Sequence, residues 1–256
     1  MGDNQNVSRR DFLKTTGIAT GTLVGGGLIG GLIGYNMKGS GDTKPVVEQE
    51  TTKQNDNHNH TETNTGAPIR GRMFFTNQRD FHVLSEATER IFPEDDLGPG
   101  AIKLGVPYFI DYQLAGAYGN NAKEYMQGPF YEGAPTQGYQ SRLTRAEIFK
   151  QGVHKIEEEA QKRFSMTFVK LEPEQMDEIL TAFQKGEVEM AGIASSYFFT
   201  LLRSATLEGV YSDPMYGGNY DMAGWKMKNF PGHQMAYTQY IEQEEFIVIE
   251  PKSLGS

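Results

Sequence analysis

Five histidines are present, and histidine is both the readiest proton carrier near neutral pH and a common metal ligand. His58 and His60 flank Asn59 in a polar stretch that offers no second shell to orient them, so they read as a solvated pair. His82 shares a helical face with Gln78, Glu86 and Glu89, and His154 with Lys150, Glu157 and Glu158. Neither has metal-ligand spacing to another histidine, and both read as solvated. His233 follows Pro231-Gly232 among aromatic residues, the one histidine whose surroundings hint at a role. Asp213-Pro214 reads first as a turn initiator and second as a catalytic acid. Glu94-Asp95-Asp96 lacks the oxygen donors at fixed offsets that calcium requires, and reads as a helix N-cap. No serine nucleophile elbow, zinc motif or phosphate loop occurs. These residue types assign no catalytic, cofactor-binding or metal site to the chain.

Composition narrows the classes further. There are no cysteines, which excludes disulfides, thiolate zinc, iron–sulfur clusters and covalent c-type haem. A net charge of −9 argues against a nucleic-acid partner. The 256 residues leave room for one substantial domain once leader and linker are set aside.

The chemistry that is legible lies at the start, in an address rather than a site. Ser8, Arg9, Arg10, Phe12, Leu13 and Lys14 form a twin-arginine pattern, a receptor-read export signal that accepts folded cargo. An uncharged, glycine-laden run from Thr15 to Tyr35 follows, and as a helix rising ~1.5 Å per residue it reaches about 30 Å, the thickness of a bilayer core. Positive charge ahead of it keeps the N-terminus inside and sends the rest to the extracytoplasmic face. Two readings stay open. The missing Ala-x-Ala site favours a retained membrane anchor, whereas the glycines favour a cleaved signal. Glycines recurring every fourth residue suit close helix packing in a membrane, though a glycine-rich leader shows that spacing by chance. Residues 1–37 are thus the signal or anchor. Residues 38–70 are a polar linker with too little apolar surface to bury, spanning on the order of 30 Å.

Residues 71–256 form the folded domain, and its periodicity is helical. Phe81, Leu84, Thr88, Ile91 and Phe92 mark a helix within Thr76–Phe92. Gly98-Pro99-Gly100 opens a second stretch with Ile102, Val106, Phe109, Ile110 and Leu114, which Pro107 should kink or split. Thr144 and Glu147 form a capping box ahead of Ile148, Phe149, Val153, Ile156 and Ala160. Glu172-Pro173-Glu174 starts a fourth helix, with Met176, Ile179, Leu180 and Phe183 as its stripe and Gly186 as its stop. The fifth runs from about Gly192 to Leu207 and ends at Gly209. Five helices without a hairpin signal predict an all-α domain, and Phe246-Ile247-Val248-Ile249 is either one short strand or an extended tail.

Two stretches resist helix assignment: Gln127 to Arg142, and Ser212 to His233, both rich in glycine and aromatics. Such loops either pack over their own domain or form a contact surface. Thr206-Leu207-Glu208-Gly209-Val210-Tyr211-Ser212-Asp213-Pro214-Met215-Tyr216-Gly217-Gly218-Asn219, then Gly224-Trp225 and Phe230-Pro231-Gly232, resemble the hallmark of the gluconate 2-dehydrogenase subunit 3 family. Ile91-Phe92-Pro93, Gly98-Pro99-Gly100-Ala101, Phe109-Ile110-Asp111 and Gly138-Tyr139-Gln140 fit its earlier part, so the likeness covers roughly Phe74 to His233. Asn229 departs from it, standing where the family more often has glycine.

The resemblance implies a small subunit of a membrane-associated, flavin-dependent sugar or sugar-acid dehydrogenase. FAD and catalysis would belong to a glucose–methanol–choline-type flavoprotein large subunit, with a cytochrome subunit as electron acceptor. The small subunit would escort, stabilise and co-export the large one. Tyr211, Pro214, Tyr216, Tyr220, Trp225 and Phe230 are the expected partner interface, because aromatics are enriched at interface centres. In the alternative they pack on their own helices to hold the loop. Two rival functions stand beside the escort: an independent exported oxidoreductase using Asp213 and His233 as an acid–base pair, and a simple membrane anchor.

Overall fold

The computed structural model describes residues 70–131 and 133–255. The export address, the Thr15–Tyr35 run and His58/His60 lie outside them. Among the described residues, six α-helices occur and no strands, the all-α architecture that the periodicity predicts. They are α1 (Gln78–Ile91), α2 (Val106–Ala115), α3 (Arg145–Phe164), α4 (Pro173–Lys185), α5 (Ser195–Tyr211) and the single-turn α6 (Ala223–Lys226). None of these helices is long and apolar enough to cross a membrane.

Local signals explain most boundaries. Asn77 caps α1 through its side chain, which accepts from Arg79 N. The Thr144–Glu147 capping box launches α3: Thr144 Oγ1 accepts from Glu147 N, and Glu147 accepts from Thr144 N at 2.8 Å. The bonds that Thr144 N and Thr144 Oγ1 donate to the Glu147 carboxyl hold it below its ordinary range. Pro173 opens α4, and Gly186 at φ 76 closes it in the left-handed conformation that glycine adopts without strain.

Three boundaries differ from expectation. The segment 101–105 is a run of turns, and α2 begins at Val106 after Gly105 turns left-handed at φ 77. Pro107 therefore sits in the first turn, where its missing N–H breaks no helical bond, and it kinks nothing. Glu94-Asp95-Asp96 caps no helix; Asp95 accepts from Leu97 N and pairs with Gly98 in a tight turn. Finally, α5 starts at Ser195 and passes through Gly209 to Tyr211. Gly209 is there for close approach: a Cβ at that position would stand 2.9 Å from the Phe109 ring and 3.1 Å from Val106 of α2.

Helix α5 is the hub. It touches each of α1 to α4, and a helix so enclosed is apolar around most of its circumference. Phe198, Leu202 and Val210 are fully buried on it. Phe149 of α3 and Phe183 of α4 meet Phe198 edge-on, with centroids 5.8 and 5.6 Å away. Gly152 of α3 makes room for that ring, since a Cβ there would lie 2.2 Å from it. Arg90 of α1 clamps Asp177 of α4 with two bonds of 2.8 and 2.7 Å.

The chain enters this domain under firm control. Asp111 of α2 is fully buried, and its carboxylate accepts the N–H groups of Met73, Phe74 and Phe75. Just upstream, Arg70 donates to the Gly217 carbonyl and lies over the Tyr220 ring. The start of the domain is thereby tied to its glycine-rich loop.

Candidate functional site

That loop grows out of the C-terminus of α5. Asp213 accepts from Met215 N at 3.0 Å and caps a 3-10 turn, Pro214–Tyr216, which Gly217 closes at φ 96. Buried Asn219 then pins the loop to itself. Its Nδ2 donates to Ser212 O at 2.8 Å and its Oδ1 accepts from Gly224 N at 2.7 Å. The neighbouring glycines let backbone meet backbone: a Cβ at Gly218 would lie 2.2 Å from the Gly209 carbonyl, and one at Gly224 would lie 2.1 Å from that of Val210. Asn229 takes φ 50, the left-handed region that glycine prefers and asparagine tolerates, so the turn survives its departure from glycine.

The six aromatic and proline positions separate into two kinds. Trp225 is only 5 % exposed. Its indole N–H donates to the Tyr211 carbonyl at 2.7 Å, and its ring packs edge-on to Phe230 at 5.4 Å and against Gly232. It is a wedge that fixes the loop, and a ring this buried offers a partner little surface. Tyr211 is half-buried between Phe92 and Lys228, while Pro214 and Tyr220 are also half-buried. Tyr216 and Phe230 remain about half exposed, and Met215, next to Tyr216 in the chain, is 56 % exposed.

Asp213 holds more than its own turn. Ser253 Oγ donates to it at 2.6 Å and Leu254 N at 2.7 Å, so the carboxylate grips the C-terminal segment. That segment also pairs with the loop: His233 N donates to Lys252 O at 2.7 Å, and Lys252 N to Pro231 O at 3.2 Å. Burial pushes the Asp213 carboxyl up, but the bonds from Leu254, Ser253 and Met215, with the charge of His233, outweigh it and hold it below its ordinary value. A carboxylate with both oxygens committed and a depressed pKa makes a poor proton carrier. This arrangement speaks against an Asp213–His233 acid–base pair.

The other irregular stretch is mostly exposed among its described residues, and Tyr139 ties it to the helices. Tyr139 stacks on Tyr197 of α5 at 4.0 Å, and its hydroxyl accepts from Ala194 N. Nearby, Arg145 covers the Tyr118 ring at 4.6 Å and pairs with Glu124 at 2.8 Å. Burial, with the charge of Glu208, pushes the Tyr118 hydroxyl up to about 12. Among the described residues, no cluster of three or more histidine and acidic side chains is arranged to hold a metal ion. His154 donates its ring to a surface contact with Asp80 at 3.2 Å, and His82 approaches Gln78.

The sequence profile described as gluconate 2-dehydrogenase subunit 3 matches residues 78–232, more than half of the chain. The chain belongs to that family. No curated protein and no solved structure matches it at a significant level. The matched span of the gluconate 2-dehydrogenase subunit 3 domain runs from α1 through Trp225 to Gly232, so it contains the whole glycine-rich loop. It stops before the segment that Asp213 grips.

Subunit 3 of such a dehydrogenase raises the question of whether this chain fits a flavin itself. A phosphate cradle needs glycines whose N–H groups face a ligand at a helix N-terminus. Here Gly217 N donates to Pro214 O and Gly224 N to Asn219 Oδ1, and the Asn219 amide donates to Ser212 O, so these donors are spent within the loop. The loop does not fit that group. Sequence reasoning missed the structural work of Asp213, Asn219 and Asp111. Their placement inside family motifs was the available signal, but the partners of Asp111 and Asp213 lie far off in the chain, and those of Asn219, within seven residues of it, meet it only once the loop has closed.

Proposed function

We propose that this chain is a non-catalytic small subunit that escorts, stabilises and is co-exported with a folded, FAD-carrying dehydrogenase of the glucose–methanol–choline type. Family membership over residues 78–232 carries the reading. The loop supports it: Met215, Tyr216 and Phe230 are exposed apolar side chains of a loop stiffened by Asp213, Asn219 and Trp225, which costs little entropy to dock. Pro214, Tyr211 and Tyr220, in or beside that loop, are half-buried. The twin-arginine pattern at Arg9 and Arg10 supports export to the extracytoplasmic face, where Thr15–Tyr35 would serve as signal or anchor. On this reading the address serves two proteins, because a flavoprotein folds around its cofactor inside the cell. A cytochrome subunit would complete the electron path.

Purification of the full chain from its own host, with mass spectrometry and visible absorbance of whatever co-purifies, tests this. A flavoprotein at matching stoichiometry is the expected result. A chain that purifies alone, or that carries flavin absorbance by itself, overturns it. Fusing residues 71–256 to another export signal separates escort from anchor: an escort still rescues its partner's export.

A further inference from the structure

Beyond the family's span the chain does not simply trail away. Residues 246–250 run extended between the last turn and the anchor at Lys252–Leu254. Exposure alternates along them: Phe246 is 82 % and Val248 63 % exposed, while Ile247 and Ile249 are half-buried. That period of two belongs to a strand resting on a surface. Among the described residues, none of the backbone groups of 246–250 makes a hydrogen bond. β-Branched residues with unpaired N–H and C=O groups form a ready template for pairing with another strand.

The charges around the segment narrow the occupant. Glu242, Glu244, Glu245 and Glu250 stand in or beside it in the chain, all exposed, against one base, Lys252, in the sequence from 241 to 256. A second copy of this chain would set these acids against one another, and like charges facing across strands destabilise. An edge bordered by Lys or Arg would be drawn in.

We propose that residues 246–250 are a docking strand that adds, through its backbone, to an exposed β-sheet edge of the flavoprotein partner, an edge bordered by basic side chains. The proposal rests on the escort reading and extends it to a segment outside the family's span. The Asp213 grip on Ser253 and Leu254 fixes the C-terminal end of the segment at the loop, where Gly255 lies against Met215. Backbone pairing supplies the affinity, and Phe246 and Val248 the side-chain selectivity.

The test compares the full chain alone and in its purified complex with the flavoprotein, by hydrogen exchange and by the affinity of proline variants. Ile247→Pro and Val248→Pro each delete one N–H, on opposite edges of the strand, whereas Val248→Thr keeps it. At least one proline variant is expected to bind about tenfold more weakly, with Val248→Thr near wild type and the thermal stability of the isolated chain unchanged. Amides of 246–250 should be protected only in the complex. If neither proline weakens binding, or those amides exchange freely in the complex, the strand is overturned and the escort reading stands. Protection in the isolated chain with a mass that rises with concentration assigns the strand to a second copy and overturns it. If the wild-type chain holds no flavoprotein, the escort reading falls and takes the strand with it.

Discussion

Replacing Trp225 by alanine probes whether the glycine-rich loop is a separable unit. The ring is 5 % exposed, and truncating a tryptophan so buried costs about 3–5 kcal/mol. The Tyr211 carbonyl loses the indole N–H as well, which adds roughly 1 kcal/mol. Spread through one cooperative domain of this size, about 4–6 kcal/mol would lower Tm by roughly 8–24 °C. Trp225 stands apart from the contiguous core of α1 to α5, however, and rests on Phe230, Gly232 and the end of α5. The loss should therefore appear locally. Lys228 N and Phe230 N both donate to the Trp225 carbonyl at 3.0 Å, and hydrogen exchange at these amides reads the loop directly. Protection there should fall about a thousandfold for a cost of about 4 kcal/mol, while amides of α3 and α5 keep theirs. Trp225→Phe keeps a ring against Phe230 but loses the N–H donor, so about 1–2 kcal/mol is expected. Equal loss of protection in α3 and α5 would refute the separable loop. Unchanged exchange at Lys228 and Phe230 would refute the wedge itself.

Three further outcomes follow from the packing. Gly152→Ala forces a methyl into the buried Phe198 ring and should destabilise by about 1–3 kcal/mol, read as a lower urea midpoint with unchanged slope. Asp111→Ala strands the N–H groups of Met73, Phe74 and Phe75 and should cost about 3–5 kcal/mol by the same assay; a loss under 1 kcal/mol, within about the worth of a single ordinary bond, would show that water replaces the carboxylate. For Asp213 the folded carboxyl titrates below its ordinary value of 3.8, so its stabilisation is present above that value and disappears as pH falls through the lower, folded one. Exchange at Leu254 N should thus stay slow at neutral pH and speed up only under strong acid, and Asp213→Ala should release it at every pH.

Much of the helical layout is readable because its causes are local. The Thr144–Glu147 box, Pro173 and Gly186 act within a few residues of themselves, and the apolar stripes of α1, α3 and α4 repeat at the helical period. Pro107 and Gly209 mislead for one reason. A proline in the first turn and a glycine within a helix look like breakers until their neighbours are known, and those neighbours are Gly105 on one side and Phe109 on the other. Aromatic composition, likewise, cannot tell an interface anchor from an internal wedge such as Trp225, since both bury apolar surface.

The sequence by itself determined the all-α class, most helix starts and the family. Periodicity, capping and motif spacing are written in consecutive residues. Tertiary structure alone decided that Asp213 grips Ser253 and Leu254, that Asp111 holds the entry at Met73–Phe75, and that Trp225 faces inward. Each of these depends on groups brought together from distant parts of the chain. A carboxylate or an indole has the same intrinsic chemistry wherever it stands; burial and the donors folded against it fix what it does.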